Sequence, residues 1–123
     1  MIKSSRTKGN ESEDIASSYL KEKGWKILAR NYKAIGGEID IIAIYKNYLI
    51  AIEVKSGIKD VNFLSESVNK SKRIKIEKTL LHFKYRNSKL IDSINKMIIR
   101  FDVITVSMPE KKIVHFEQEF FDE

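Results

Sequence analysis

GGEIDIIAIYKNYLIAIEVK, residues 36–55, decides how this chain folds. Two runs rich in β-branched residues, 38–45 and 48–55, flank Lys46-Asn47, and Gly36-Gly37 breaks the chain just before them. Alternation with period two on either side of a two-residue break predicts a β-hairpin. With the turn centred on Lys46-Asn47, Tyr45 pairs with Tyr48, Ile44 with Leu49, Ile42 with Ala51 and Asp40 with Glu53. Because successive side chains point to opposite faces, Ile39, Ile41, Ala43, Ile50, Ile52 and Val54 form one apolar surface. The other face carries Glu38 and Asp40 from one strand, and Glu53 and Lys55 from the next. Two acids therefore oppose each other in an otherwise apolar hairpin.

Like charges directly across a ladder are destabilising, and burial adds desolvation to that cost. A shared proton, an ion pair with Lys55 or a bound divalent cation would each offset it. Two converging carboxylates suit hard oxygen ligation of Mg²⁺ or Mn²⁺. With Lys55 two residues beyond Glu53 on the same face, the set has the components that phosphodiester hydrolysis needs: a cation site, two carboxylates and an ammonium. An ordinary surface pair at a strand end is the simpler reading of Glu53 and Lys55, and Glu110-Lys111-Lys112 shows how cheaply a Glu-x-Lys triplet arises.

Outward from the hairpin, residues 1–9 are basic and aperiodic and read as a flexible tail. Asn10 is a good N-cap for a first helix over 11–23, with Glu11, Glu13 and Asp14 complementing its dipole and Gly24 stopping it. Ile15, Ala16, Tyr19 and Leu20 form its apolar stripe. Residues 25–32 read as a strand. A long second helix is expected over 63–86, with Leu64, Val68, Ile76, Leu80 and Phe83 on one side. Residues 98–106 are strongly β, Pro109 marks a turn, and 113–117 form a short last strand. The order αβββαββ predicts an α/β fold: residues 10–123 as one domain, with a central mixed β-sheet flanked by helices.

The chain has 123 residues, enough for one domain, and 42% hydrophobic composition, enough for a core. It contains no Cys, which excludes disulfides, thiolate metal sites and cysteine nucleophiles. No signal peptide and no apolar run of membrane-spanning length is visible, so a cytoplasmic protein without membrane contact is expected. Lys and Arg outnumber Asp and Glu by 23 to 17, a net charge of +6, which favours an anionic partner.

Gly37-Glu38-Ile39-Asp40 followed by Glu53-Val54-Lys55 resembles the core of the PD-(D/E)XK, or restriction-endonuclease-like, nuclease superfamily. More narrowly, the chain is similar to the YraN-type family of predicted endonucleases. That similarity runs from about Gly9 to Phe120 through ordered blocks: Glu13-x-x-Ala16-x-x-Tyr19-Leu20, Leu28-Ala29-Arg30-Asn31-Tyr32, Val68-x-x-x-Lys72-Arg73, Arg100-Phe101-Asp102-Val103 and Ile113-x-His115-Phe116. It implies a restriction-endonuclease-like domain in which Asp40 and Glu53 are metal ligands and Lys55 is the catalytic lysine. Glu13 matches an additional acid that related nucleases carry on their first helix; stabilising the helix dipole is its bland alternative. One departure is Gly57, where the family usually has a basic residue after Glu-Val-Lys-x.

Lys70, Lys72, Arg73, Lys75 and Lys78 crowd the second helix. They read either as a solvated face or as a grip on a phosphate backbone, with Lys70, Lys72, Arg73 and Lys75 the candidate nucleic-acid contacts. Lys72 falls on the apolar stripe, so its stem must lie along the sheet. His82 and His115 lack partners at ligand spacing, Arg100 and Asp102 read as a local ion pair, and Trp25 and Tyr32 as core. No Walker A or dinucleotide fingerprint occurs. The sequence thus predicts an endonuclease dependent on Mg²⁺ or Mn²⁺ and acting on DNA, with branched or damaged forms as candidate substrates and a homodimer as one way to widen its footprint. The competing expectations are a non-catalytic nucleic-acid-binding or adaptor protein that keeps the nuclease fold, and a structural domain whose acids merely pair with lysines.

Overall fold

The hairpin forms in the computed structural model, which describes residues 7–56 and 70–118. Strands β2 (Gly37–Tyr45) and β3 (Tyr48–Ser56) pair antiparallel in the expected register, Tyr45 with Tyr48 and Ile42 with Ala51. Lys46 takes a positive φ of 56° at the turn. Before them, β1 (Lys26–Ala34) joins β2 through a two-residue turn in which Ile35 and Gly36 have φ of 54° and 74°. Both central residues in the left-handed region match the twist that a tight hairpin needs.

A register shift between Ile27 and Ala29 turns Arg30 toward the first helix, α1 (Thr7–Glu22), where it pairs with Asp14 at 2.8 Å and Glu13 at 3.4 Å. The second helix, α2 (Lys70–Arg86), crosses between β3 and β4 (Ile98–Ser107), which pair in parallel from Tyr48/Ile98 to Ser56/Val106. The last strand, β5 (Lys112–Gln118), runs antiparallel to β4. The five strands lie in chain order, β1-β2-β3-β4-β5, in one mixed sheet. This is the expected α/β domain with order αβββαββ.

Each face of the sheet carries its own core. Ala16 and Leu20 of α1 close over Trp25, Ile41, Ala43, Ile50, Ile52, Ile104 and Val106. On the other side Ile76, Leu80 and Phe83 of α2 cover Ile42, Leu49, Ala51, Phe101 and Val103. Gly37 permits the close seat of α2, because a Cβ there would lie 2.5 Å from Thr79 Oγ1.

Three expectations change. Helix α1 starts at Thr7, so Asn10 and residues 7–9 of the expected tail lie inside it, while residues 1–6 are outside the described segments. Packing of Ile15, Ala16, Tyr19 and Leu20 fixes the helix at its C-terminal half, and extra turns then propagate at low cost through polar residues that carry no pattern. Ile39 packs under α2 rather than with Ile41, because the β2–β3 ladder ends at Ile41/Ile52 and alternation no longer follows one sheet plane. A 3₁₀ helix over Asp92–Lys96 buries Ile94 alone, which periodicity could not reveal. Of the long helix expected over 63–86, residues 63–69 lie outside the described segments, as does Gly57.

Candidate metal and phosphate site

The site lies where β2 parts from β3. Beyond Ile41/Ile52 the ladder stops, while β3 stays paired with β4 to its end. The Val54 N–H, which would otherwise seek a strand partner, donates to Asp40 Oδ2 at 2.9 Å. The aspartate side chain thus closes the backbone's hydrogen bonding and is held in the gap. Its carboxyl is pushed up from 3.8 to about 6, chiefly by burial, with the charges of Glu13, Glu53 and Glu38 adding to the rise and the Val54 N–H opposing it.

Glu53 reaches the same pocket from β3. Its Oε2 accepts from Lys72 Nζ at 2.5 Å and lies 3.0 Å from Lys55 Nζ. Its Oε1 is buried and has no hydrogen-bond partner among the described residues. Ile39, Ile52, Ile76 and Phe101 form the apolar floor of the pocket, and Glu38, Asp40, Glu53 and Lys72 supply its polar lining. An apolar floor raises the electrostatic stakes of everything above it, since a low local dielectric strengthens pairs and penalises unpaired groups alike.

Asp40, Glu53, Lys55 and Lys72 are therefore brought together. Glu13 is near enough to raise the Asp40 carboxyl, yet it pairs with Arg30, and among the described residues no three acidic or histidine side chains gather closely enough to hold a metal ion. Glu38 is on the exposed rim. On α2, Lys70 and Lys75 are exposed and Arg73 is half-buried.

Sequence reasoning missed two features. Direct contact between Lys72 and Glu53 was signalled only by the lysine's position on the apolar stripe. The second feature is a buried network on the α1 face. Arg100 donates twice to the fully buried Asp102, at 3.0 and 2.8 Å, as the expected ion pair. His115 Nε2 also meets Asp102 Oδ2 at 2.8 Å, and its Nδ1 lies 3.1 Å from the Tyr19 hydroxyl. Tyr19 accepts from Lys23 at 3.2 Å. His82 pairs with the Tyr32 hydroxyl at 2.8 Å, so both histidines have structural partners.

No helix among the described residues is long and apolar enough to cross a membrane. Residues 12–106 match the model of the Uncharacterised protein family UPF0102, a span that includes Glu13, Asp40, Glu53, Lys55 and Lys72. The chain is 41% identical over 115 residues to a UPF0102 protein of Thermodesulfovibrio yellowstonii, covering 92% of this chain and 95% of that one. It is 41% identical over 117 residues to a UPF0102 protein of Clostridioides difficile, covering 94% and 97%. A UPF0102 protein of Pseudothermotoga lettingae is 39% identical over 107 residues, covering 87% and 92%.

Proposed function

This chain belongs to the UPF0102 family, the YraN-type family, and from that footing we propose that it is a divalent-metal-dependent endonuclease hydrolysing phosphodiester bonds in DNA. One observation carries the reading: Asp40 and Glu53 line one pocket from two strands, and Glu53 has a buried Oε1 with no hydrogen-bond partner among the described residues. A buried carboxylate oxygen without a donor is costly, and a cation relieves that cost. The donor set fits Mg²⁺ or Mn²⁺, which take one or two carboxylates and complete their shell with water and phosphate oxygens. A bound cation would supply Lewis acidity toward the phosphodiester and toward water.

The remaining work falls to the chain's own groups. Asp40 and Glu53 hold the cation, and the Val54 N–H fixes the orientation of Asp40. Lys55, one-quarter exposed and anchored beside Glu53, presents an ammonium to the negative charge that grows on the attacked phosphate. Lys70, Lys72, Arg73 and Lys75 would bind backbone phosphates from α2, contacts that position nucleic acid without reading its sequence.

A non-catalytic nucleic-acid-binding module is favoured by one feature, Gly57 in place of the usual basic residue. Metal-dependent turnover separates the two readings. Purified protein should cleave at least one member of a panel of branched, nicked, single-stranded and duplex DNA in Mn²⁺ or Mg²⁺. Asp40→Asn and Lys55→Ala should each lower the rate by about 10²-fold or more. Binding across the panel without cleavage by the parent would select the binding module, and activity surviving in both variants would mean the site lies elsewhere.

A further inference from the structure

Resting on the reading of this pocket as a divalent-metal site, we propose that Lys72 stands in for the cation on Glu53 and passes to a backbone phosphate when the cation takes that carboxylate. Such an exchange couples metal binding to nucleic-acid binding.

Two ammonium groups share Glu53 Oε2, and they are not equivalent. Lys55 lies two residues along the same strand, so its stem is bound to the sheet. Lys72 arrives from the first turn of α2, nineteen residues away, with the shorter contact of 2.5 Å and the more exposed side chain, 36% against 25%. It also lines the pocket that holds Asp40. A divalent cation on Glu53 would neutralise the charge that holds Lys72 and repel its ammonium. Its four-carbon stem lets the ammonium swing from the carboxylate toward solvent, and Lys70 and Lys75 of the same helix are exposed. By linkage, whatever a cation gains for phosphate binding through Lys72, phosphate returns to cation binding.

The test uses metal alone first. Mn²⁺ is titrated into the full-length protein and into Lys72→Met, Lys72→Gln and Lys78→Met, following loss of the free Mn²⁺ paramagnetic resonance signal. Both Lys72 variants should bind Mn²⁺ about fivefold to tenfold more tightly than the parent, because a competitor has gone. Lys78→Met removes the same charge from an exposed position of the same helix and should shift the affinity by less than about twofold, as expected for a screened surface charge. A short duplex is then titrated with and without Ca²⁺, which supports binding without requiring turnover. Ca²⁺ should raise the parent's DNA affinity, and that gain should be clearly smaller in both Lys72 variants, which keep only the cation's own contact with phosphate oxygens.

Parent protein that binds no Mn²⁺ overturns the metal-site reading itself. Parent that binds Mn²⁺, with folded Lys72 variants of equal or weaker affinity, overturns the exchange and leaves the metal site standing. A Ca²⁺ gain that is undiminished in the Lys72 variants overturns the transfer to phosphate.

Discussion

An aspartate carboxyl raised from 3.8 to about 6 makes folding depend on pH through a single side chain. Between those values the unfolded chain has released the proton and the folded chain has kept it. Stability therefore falls as pH rises across that window, and the loss is complete above about pH 6. Its size is on the order of 1–2 kcal/mol once the residual solvent contact of Asp40 is allowed for. Asp40→Asn keeps an acceptor for the Val54 N–H and carries no charge. Without divalent ions it should be more stable than the parent by about that amount at pH 8, and by nothing near pH 3.5. Urea titrations across this range measure the gap; a gap that is missing at pH 8, or that widens toward acid, refutes the assignment. Counting from the turn was enough to place the pairs as far as Ile41/Ile52, one rung short of Asp40 and Glu53, since the register of a two-residue hairpin is rigid. The capture of the Val54 N–H was not legible, because the alternating pattern continues through residues 38–40 as though the ladder did too.

Helix α2 carries Lys72 into the pocket only because it can sit close on the start of β2. Thr79 Oγ1 donates to the carbonyls of Ala34 and Lys75, at 3.1 and 2.8 Å, and so ties the helix to the β1–β2 hairpin. A Cβ at residue 37 would meet that hydroxyl oxygen at 2.5 Å and the Lys75 carbonyl oxygen at 3.3 Å. Gly37→Ala should cost about 1–3 kcal/mol, the usual range for overpacking. Thr79→Ala alone should cost about 1 kcal/mol for its lost hydrogen bonds. Combined, the two should be less destabilising than their sum, because removing the hydroxyl clears most of the clash. Additive costs in a double-mutant cycle by urea denaturation would place the strain of Gly37→Ala elsewhere. The glycine pair was readable as a chain break, and its first member does serve the turn. That the second makes room for Thr79, more than forty residues later, depends on where α2 lands, and no periodicity encodes that.

Across the whole molecule, one sheet separates the parts that hold the fold from the parts that carry the proposed chemistry. Ile52/Asp102 and Glu53/Val103 are successive rungs of the β3–β4 ladder, so Asp102 and Glu53 are backbone neighbours whose side chains leave on opposite faces. On the α1 face, Asp102 gathers Arg100 and His115, and His115 reaches Tyr19, 96 residues away in sequence. The alternation of helix and strand made αβββαββ readable. No local pattern could align the last strand with α1, so His115 looked isolated. Asp102→Asn strands the buried Arg100 guanidinium, which keeps only the more distant contact with Glu117 at 3.8 Å among the described residues, and should cost about 3 kcal/mol. Because the network and the pocket leave the sheet on opposite faces, the folded variant should still bind Mn²⁺ within about twofold of the parent, as independent sites do. Asp40→Asn should do the reverse, abolishing Mn²⁺ binding without loss of stability. Urea melts paired with Mn²⁺ titrations at low temperature, with helical circular dichroism confirming the fold, read both quantities on the same samples. If folded Asp102→Asn protein lost Mn²⁺ binding, the two faces would be coupled through the β3–β4 ladder, and the sheet would transmit strain rather than partition labour.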